Sequence, residues 1–181
     1  MVVLRQHPES GIEVPPEFTT PRWYAAHVRS RHEKKVADQL SGKNVTFFLP
    51  LYHADHRWKD RVARLDLPLF PGYLFVQIPL VERLKVLEVP GVVRLVSSGS
   101  HPVPLDDTEI NIMRQGLSDQ VRAVPHPYLK VGNRVVLKSG PLAGLEGILV
   151  RKKVSWRVVI SVDLIMRSVA VDVSALDIEP A

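Results

Sequence analysis

FPGYLFVQI, residues 70–78, decides how this chain is read. Pro71 fixes its own φ and Gly72 tolerates a positive one, so the pair forces a turn. The β-branched and aromatic run that follows reads as a strand. Alternation along it puts Tyr73 and Phe75 on one face, Leu74 and Val76 on the other. One face must pack on a core. The other then presents an aromatic pair, with Phe70 close by at the turn, and an apolar patch rimmed by basic residues suits a protein partner.

Element types alternate on either side of that strand. WYAAHV (23–28) is a strand by the same criteria. Ser30 and Glu33 have the spacing of a capping box, ahead of Val36 and Leu40 on one helical face and Gly42 as a stop. Residues 45–49 form a second strand closed by Pro50, and the polar, basic stretch 53–66 reads as a mobile hairpin or loop. Residues 80–88 suit a short helix that ends before Pro90-Gly91, with a strand over 92–96. Asp106 and Glu109 cap a last helix carrying Ile110, Met113 and Leu117. The order β-α-β-(hairpin)-β-α-β-α predicts a mixed sheet with helices packed on it.

A different rhythm follows. Pro125 and Pro127 lack backbone donors and bias their predecessors to extended geometry, as a linker requires. Beyond them, residues 133–140, 141–153, 156–165 and 167–173 read as short Val- and Ile-rich strands at hairpin spacing, which predicts a small β-barrel. The class is α+β, divided into a flexible leader (1–19), an α/β sandwich domain (20–118), a linker (119–128) and a barrel (129–181).

Composition narrows the function classes. The 181 residues include 24 basic and 19 acidic side chains, a formal net charge of +5, and 45% hydrophobic residues. That is enough apolar material for packed cores, and the basic balance favours an acidic partner such as nucleic acid. With no cysteine there are no disulfides, thiolate metal sites or cysteine nucleophiles. No apolar stretch is long enough to span a bilayer, and the first 18 residues lack the continuous apolar core of a signal peptide, so a cytoplasmic protein is expected. His53, Asp55 and His56 could in principle ligate zinc, but they sit in a polar stretch without further ligand spacing, so no metal or other cofactor is expected. No nucleophile-base order or phosphate-binding glycine loop is present, and the chain is not read as an enzyme.

Three features together resemble the NusG family of transcription elongation factors: the Arg22-Trp23-Tyr24 strand opening, the FPGY turn at 70–73, and Val89-Pro90-Gly91-Val92 followed by Pro104 before a capped helix. Downstream, Val131-Gly132 and the segment 140–147 (GPLAGLEG) look like that family's KOW motif. The resemblance covers about residues 20–181. It implies an N-terminal polymerase-binding domain of the NGN type and a C-terminal SH3-like KOW barrel, in a monomeric protein with no membrane partner. By that likeness Phe70, Tyr73, Phe75, Trp23 and Tyr24 would grip the clamp helices of RNA polymerase. Arg29, Arg31, His32 and Lys35, at a helix start, would touch the non-template DNA strand, as in RfaH-type relatives. His27 stands where those relatives carry an aromatic residue.

Leu142, Leu145 and Ile165 align with positions where many relatives expose Phe to bind Rho or a small-subunit ribosomal protein. All three are aliphatic here, which together with the leader points to a specialised antitermination paralogue. Arg151, Lys152, Lys153, Trp156 and Arg157 form a basic-aromatic hairpin suited to RNA or ribosome contact. The alternative function is accordingly a ribosome- or RNA-binding KOW protein that does not act on polymerase. Some RfaH-type relatives fold the KOW segment as a helical hairpin over the polymerase site. Val158, Val159, Ile160, Val162, Val169, Val171 and Val173 oppose that here, as do Gly140, Gly144, Gly147 and Pro141. The barrel is therefore expected as strands, with the patch around Tyr73 uncovered.

Overall fold

A computed structural model describes residues 15–57, 62–117, 121, 123–128, 132–151 and 156–181. One helical turn, α1 (Pro16–Thr19), leads into β1 (Arg22–Val28), α2 (Glu33–Gly42) and β2 (Thr46–Phe48). The hairpin β3 (Leu51–Arg57) and β4 (Val62–Pro68) precedes β5 (Tyr73–Ile78), α3 (Arg83–Leu87) and β6 (Val92–Leu95). A small ribbon of β7 (Ser97–Ser98) and β8 (His101–Pro102) then leads to α4 (Asp107–Gly116).

The first sheet has the order β2-β5-β1-β6, and every pairing in it is antiparallel. The α+β class holds, while the mixed sheet expected from element order does not occur, because each neighbour of β1 and β5 enters from the opposite end. Pleating splits the side chains into two cores. Tyr24, Ala26, Val28, Leu74, Val76 and Ile78 face a core closed by Val36 and Leu40 of α2 and Val86 of α3. Trp23, Ala25 and Phe75 face the other way, with Ile110 and Met113 of α4. Asp106 caps α4 as expected, accepting from the amides of Thr108 and Glu109 at 2.8 and 3.0 Å.

The second sheet contains β9 (Ala123–His126), β10 (Arg134–Leu137), β11 (Glu146–Arg151), β12 (Trp156–Val162), β13 (Arg167–Val173) and β14 (Ile178–Pro180). Its order is β14-β10-β11-β12-β13-β9, antiparallel throughout. The Val- and Ile-rich segments are strands and not a helical hairpin, as their β-branched side chains require.

Three local expectations are corrected. Residues 119–128 are not simply a linker: β9 lies within them and pairs with β13, with Pro125 opposite Val169. Proline is tolerated there because, among the described residues, β9 is an edge strand with no neighbour awaiting its missing donor. Nor is the leader wholly flexible: α1 is formed, and Phe18 packs on the core beneath α2 while its ring meets His101 edge-on at 5.8 Å. Residues 1–14 lie outside the described residues. Finally, Ser30 and Glu33 form no capping box. His32 occupies the N-cap without a side-chain cap bond, and Arg31 before it has φ 65°. At the other end α2 stops at Gly42 as read, with the left-handed residue two positions on, at Asn44.

Candidate functional site

The aromatic row is set by the β1–β5 register. His27 pairs with Tyr73, Ala25 with Phe75, and Phe48 of β2 flanks Phe75 on its other side. A small residue opposite Phe75 leaves space for its ring, which stacks on Phe48 at 5.9 Å and meets Phe70 edge-on at 5.4 Å. His27 and Tyr73 extend the row, their ring centroids 5.2 Å apart. Trp23 completes this face, lying under the Arg114 guanidinium of α4 at 5.9 Å.

The turn that presents Phe70 and Tyr73 is anchored from below. Gly72 has φ 83°, and its amide donates at 2.8 Å to the Glu33 carboxylate, which is only 4% exposed. Val28 closes the turn from the strand side, donating its amide to the Gly72 carbonyl. Glu33 is thus a tie between α2 and a turn 39 residues away, a role its capping-box spacing hid.

Of the residues expected to grip a partner, Trp23, Phe70, Tyr73 and Phe75 share this face. Tyr24 does not. It is buried on the opposite face among Val36, Leu40 and Val76. The patch is not uncovered either. Trp23, Phe70 and Phe75 are 0–1% exposed and belong to one continuous apolar cluster with Leu142, Leu145 and Ile165 of the barrel. Leu142 lies at the C-terminal end of α4. A Cβ on Gly116 would stand 2.7 Å from Leu142 Cδ2 and inside contact distance of the Pro141 carbonyl oxygen. Arg167 of β13 places its guanidinium 5.8 Å from the Tyr73 ring centroid. The two sets of candidate partner residues bury one another, and the burial explains why local sequence pattern did not show it: large apolar faces without a partner tend to find one.

The fit is imperfect at two polar atoms. The Trp23 indole N–H and His27 Nδ1 are buried and find no hydrogen-bond partner among the described residues. An unmet buried donor costs about 1–3 kcal/mol. The domain contact is therefore apolar in its driving force and polar in what opposes it.

At the side of the contact lies a cavity of about 570 Å³, bounded by Pro104, Asp106 and Glu109 on one domain and Arg134, Glu146 and Asp163 on the other. Arg134 pairs with Glu146 at 2.6 Å, and Tyr128 donates to Asp163 at 3.1 Å. Glu109 is exposed, yet partial loss of hydration raises its carboxyl above the usual range, with Asp106, Glu146 and Asp163 adding to the shift. Asp106 is held below its usual range, chiefly by the amide of Glu109 and then that of Thr108.

Arg29, Arg31, His32 and Lys35 come together on an exposed corner before and within the first turn of α2. The 89–92 turn shapes that corner: Gly91, at φ 108°, accepts from the Arg29 amide at 2.8 Å, and a Cβ there would stand 2.9 Å from Val36. On the β3–β4 hairpin His53 bonds Asp66, whereas the side chains of Asp55 and His56 lie outside the described residues. Among the described residues no group of His, Cys, Asp or Glu is arranged to hold a metal ion, and no helix is long and apolar enough to cross a membrane. Of the basic-aromatic hairpin, Arg157 is paired with Asp172 at 2.7 Å, and Lys152 and Lys153 lie outside the described residues.

Residues 21–114 match the family model described as "Transcription termination factor nusG". The chain is 31% identical over 180 residues to the transcription termination/antitermination protein NusG of Staphylococcus aureus strain N315, covering 90% of this chain and 97% of that one. It is 28% identical, with the same coverage, to the counterpart in Staphylococcus carnosus strain TM300. A solved structure described as "Domain interaction in Thermotoga maritima NusG" matches with TM-score 0.58 at 23% identity, over 90% of this chain and 98% of that one, a likeness of fold.

Proposed function

This chain belongs to the NusG family of transcription termination and antitermination proteins, and on that premise we propose that it is a non-enzymatic, cytoplasmic elongation factor whose sandwich domain grips RNA polymerase. The supporting observation is the row Phe70, Tyr73, Phe75 and Trp23, on the sheet face that α2 and α3 leave free. Tyr73, half-buried at the end of the row, offers a polar-tipped ring to polymerase clamp helices once the barrel leaves. Holding the clamp in one state suppresses pausing to the extent that the two clamp states differ in affinity for this face.

The barrel then acts as both cover and recruiter. Leu142, Leu145 and Ile165 are buried in the closed arrangement, so binding of Rho or a small-subunit ribosomal protein there requires the same opening that polymerase requires. The two partners favour each other's binding by the same factor, because each is linked to one opening equilibrium. Capture on immobilised core polymerase tests the reading. Tyr73→Ala is expected to weaken retention about tenfold, the size of one aromatic interface contact. Unchanged retention, or salt-steep RNA binding without polymerase, would favour a ribosome- or RNA-binding protein instead.

The exposed corner of Arg29, Arg31, His32 and Lys35 is suited to phosphates of the non-template strand. Removing Arg31 and Lys35 together is expected to lower the slope of log affinity against log salt by about 0.7 per lost single-strand contact. An unaltered slope in a single-strand binding titration would remove this corner from the DNA path.

A further inference from the structure

We infer that the carboxylates lining the cleft between the domains act as a pH-sensitive catch that holds domain closure weak at neutral pH and lets it tighten as pH falls. The cleft sets Asp106 and Glu109, at the start of α4, against Glu146 of β11 and Asp163 after β12, with Arg134 as the cation among its lining residues. Arg134 is already engaged by Glu146, and the Asp163 carboxylate receives the Tyr128 hydroxyl. Outside the cleft Arg22 is paired with Asp107 at 2.8 Å. Closure thus sets two carboxylates of one domain against two of the other across the cleft, with Arg134 held by Glu146 and Arg22 acting on Asp106 from outside it, at the edge of a contact that apolar burial otherwise favours.

Glu109 is the group that titrates. The residue is exposed, and its carboxyl is raised by partial loss of hydration in the cleft and by Asp106, while the shares from Glu146 and Asp163 vanish when the barrel leaves. Its affinity for a proton is therefore higher closed than open, and closure takes up protons. Below the ordinary carboxyl range Glu109 is neutral in both forms and the penalty is absent. As pH rises through the raised value toward neutrality Glu109 ionises in the closed form, and its repulsion from the barrel carboxylates pushes toward opening. Asp106, held low by its cap bonds, stays charged through that window. Because the cleft is open to water, salt screens the effect and added salt at neutral pH also favours closure.

The chain has no cysteine, so a donor-acceptor dye pair at Lys34→Cys and Glu179→Cys, one exposed site on each domain, reports closure without polymerase present. The outcome is then independent of the polymerase-binding proposal. The closed-to-open ratio of the otherwise unaltered chain is expected to rise about two- to fivefold from pH 7.5 to pH 5, the range of partly exposed charge pairs. Glu109→Gln is expected to be more closed at pH 7.5 and to lose most of that step. His27, at the opposite end of the contact, is common to both proteins and cancels in the comparison. If the chain is fully closed at both pH values, the pair is repeated on Leu142→Ala, whose thinner contact at Gly116 brings both forms into range. A full pH step retained in Glu109→Gln, or closure that loosens at pH 5, would overturn the inference.

Discussion

Phe75→Ala is expected to remove about 3–5 kcal/mol of folding stability, the loss typical of truncating a fully buried Phe. The ring is 0% exposed, stacked on Phe48 and set edge-on to Phe70, with only Ala25 beside it on β1. Ala25 is too short to fill the void, and a close-packed interior collapses only in part around a deletion, so the cost stays high. Urea unfolding followed by far-ultraviolet circular dichroism measures it, and a loss below about 1 kcal/mol would mean the row is loosely packed. The result also governs how binding experiments are read. Polymerase capture lost in Phe75→Ala reports a damaged fold, whereas Tyr73, half-buried at the end of the row, reports the surface itself.

What the sequence makes legible here is what short-range chemistry controls. The FPGY turn, the β-branched barrel strands and the Asp106 cap each depend on residues within a few positions, and each forms as read. The departures share a different cause. Glu33 has capping-box spacing from Ser30, yet its carboxylate is taken by the Gly72 amide, a partner fixed only once the sheet is assembled. Pro125 reads as a linker residue until β13 supplies an edge on which a missing donor costs nothing. Tyr24 is adjacent to Trp23 in the chain, and the pleat sends it to the opposite core. The uncovered aromatic patch fails for the same reason. Helix against strand in the barrel was decided by local propensity, but docking of the barrel depends on surfaces dozens of residues apart, where Arg167 meets Tyr73 and Leu142 meets Gly116.

That last contact supplies the second large effect, because Gly116→Ala is expected to open the domains while leaving each one folded. Gly116 ends α4, and the added methyl would meet the backbone of Pro141, which cannot swing aside as a side-chain tip can. Within α4 alanine is the better residue by up to about 1 kcal/mol, so the helix itself gains. The strain falls on the contact instead, at about 1–3 kcal/mol for overpacking of one methyl, which shifts the closed-to-open ratio by about 5- to 150-fold. Both candidate surfaces should then be free together. Retention on polymerase should increase, and Leu142, Leu145 and Ile165 should become available to Rho or a ribosomal protein in the absence of polymerase. The interdomain dye pair measures the opening, and capture on each partner measures its consequence. Opening without any gain in capture would separate closure from recruitment. An unchanged dye signal would show that the 140–144 loop yields to the methyl, and that the contact at Gly116 does not set the equilibrium.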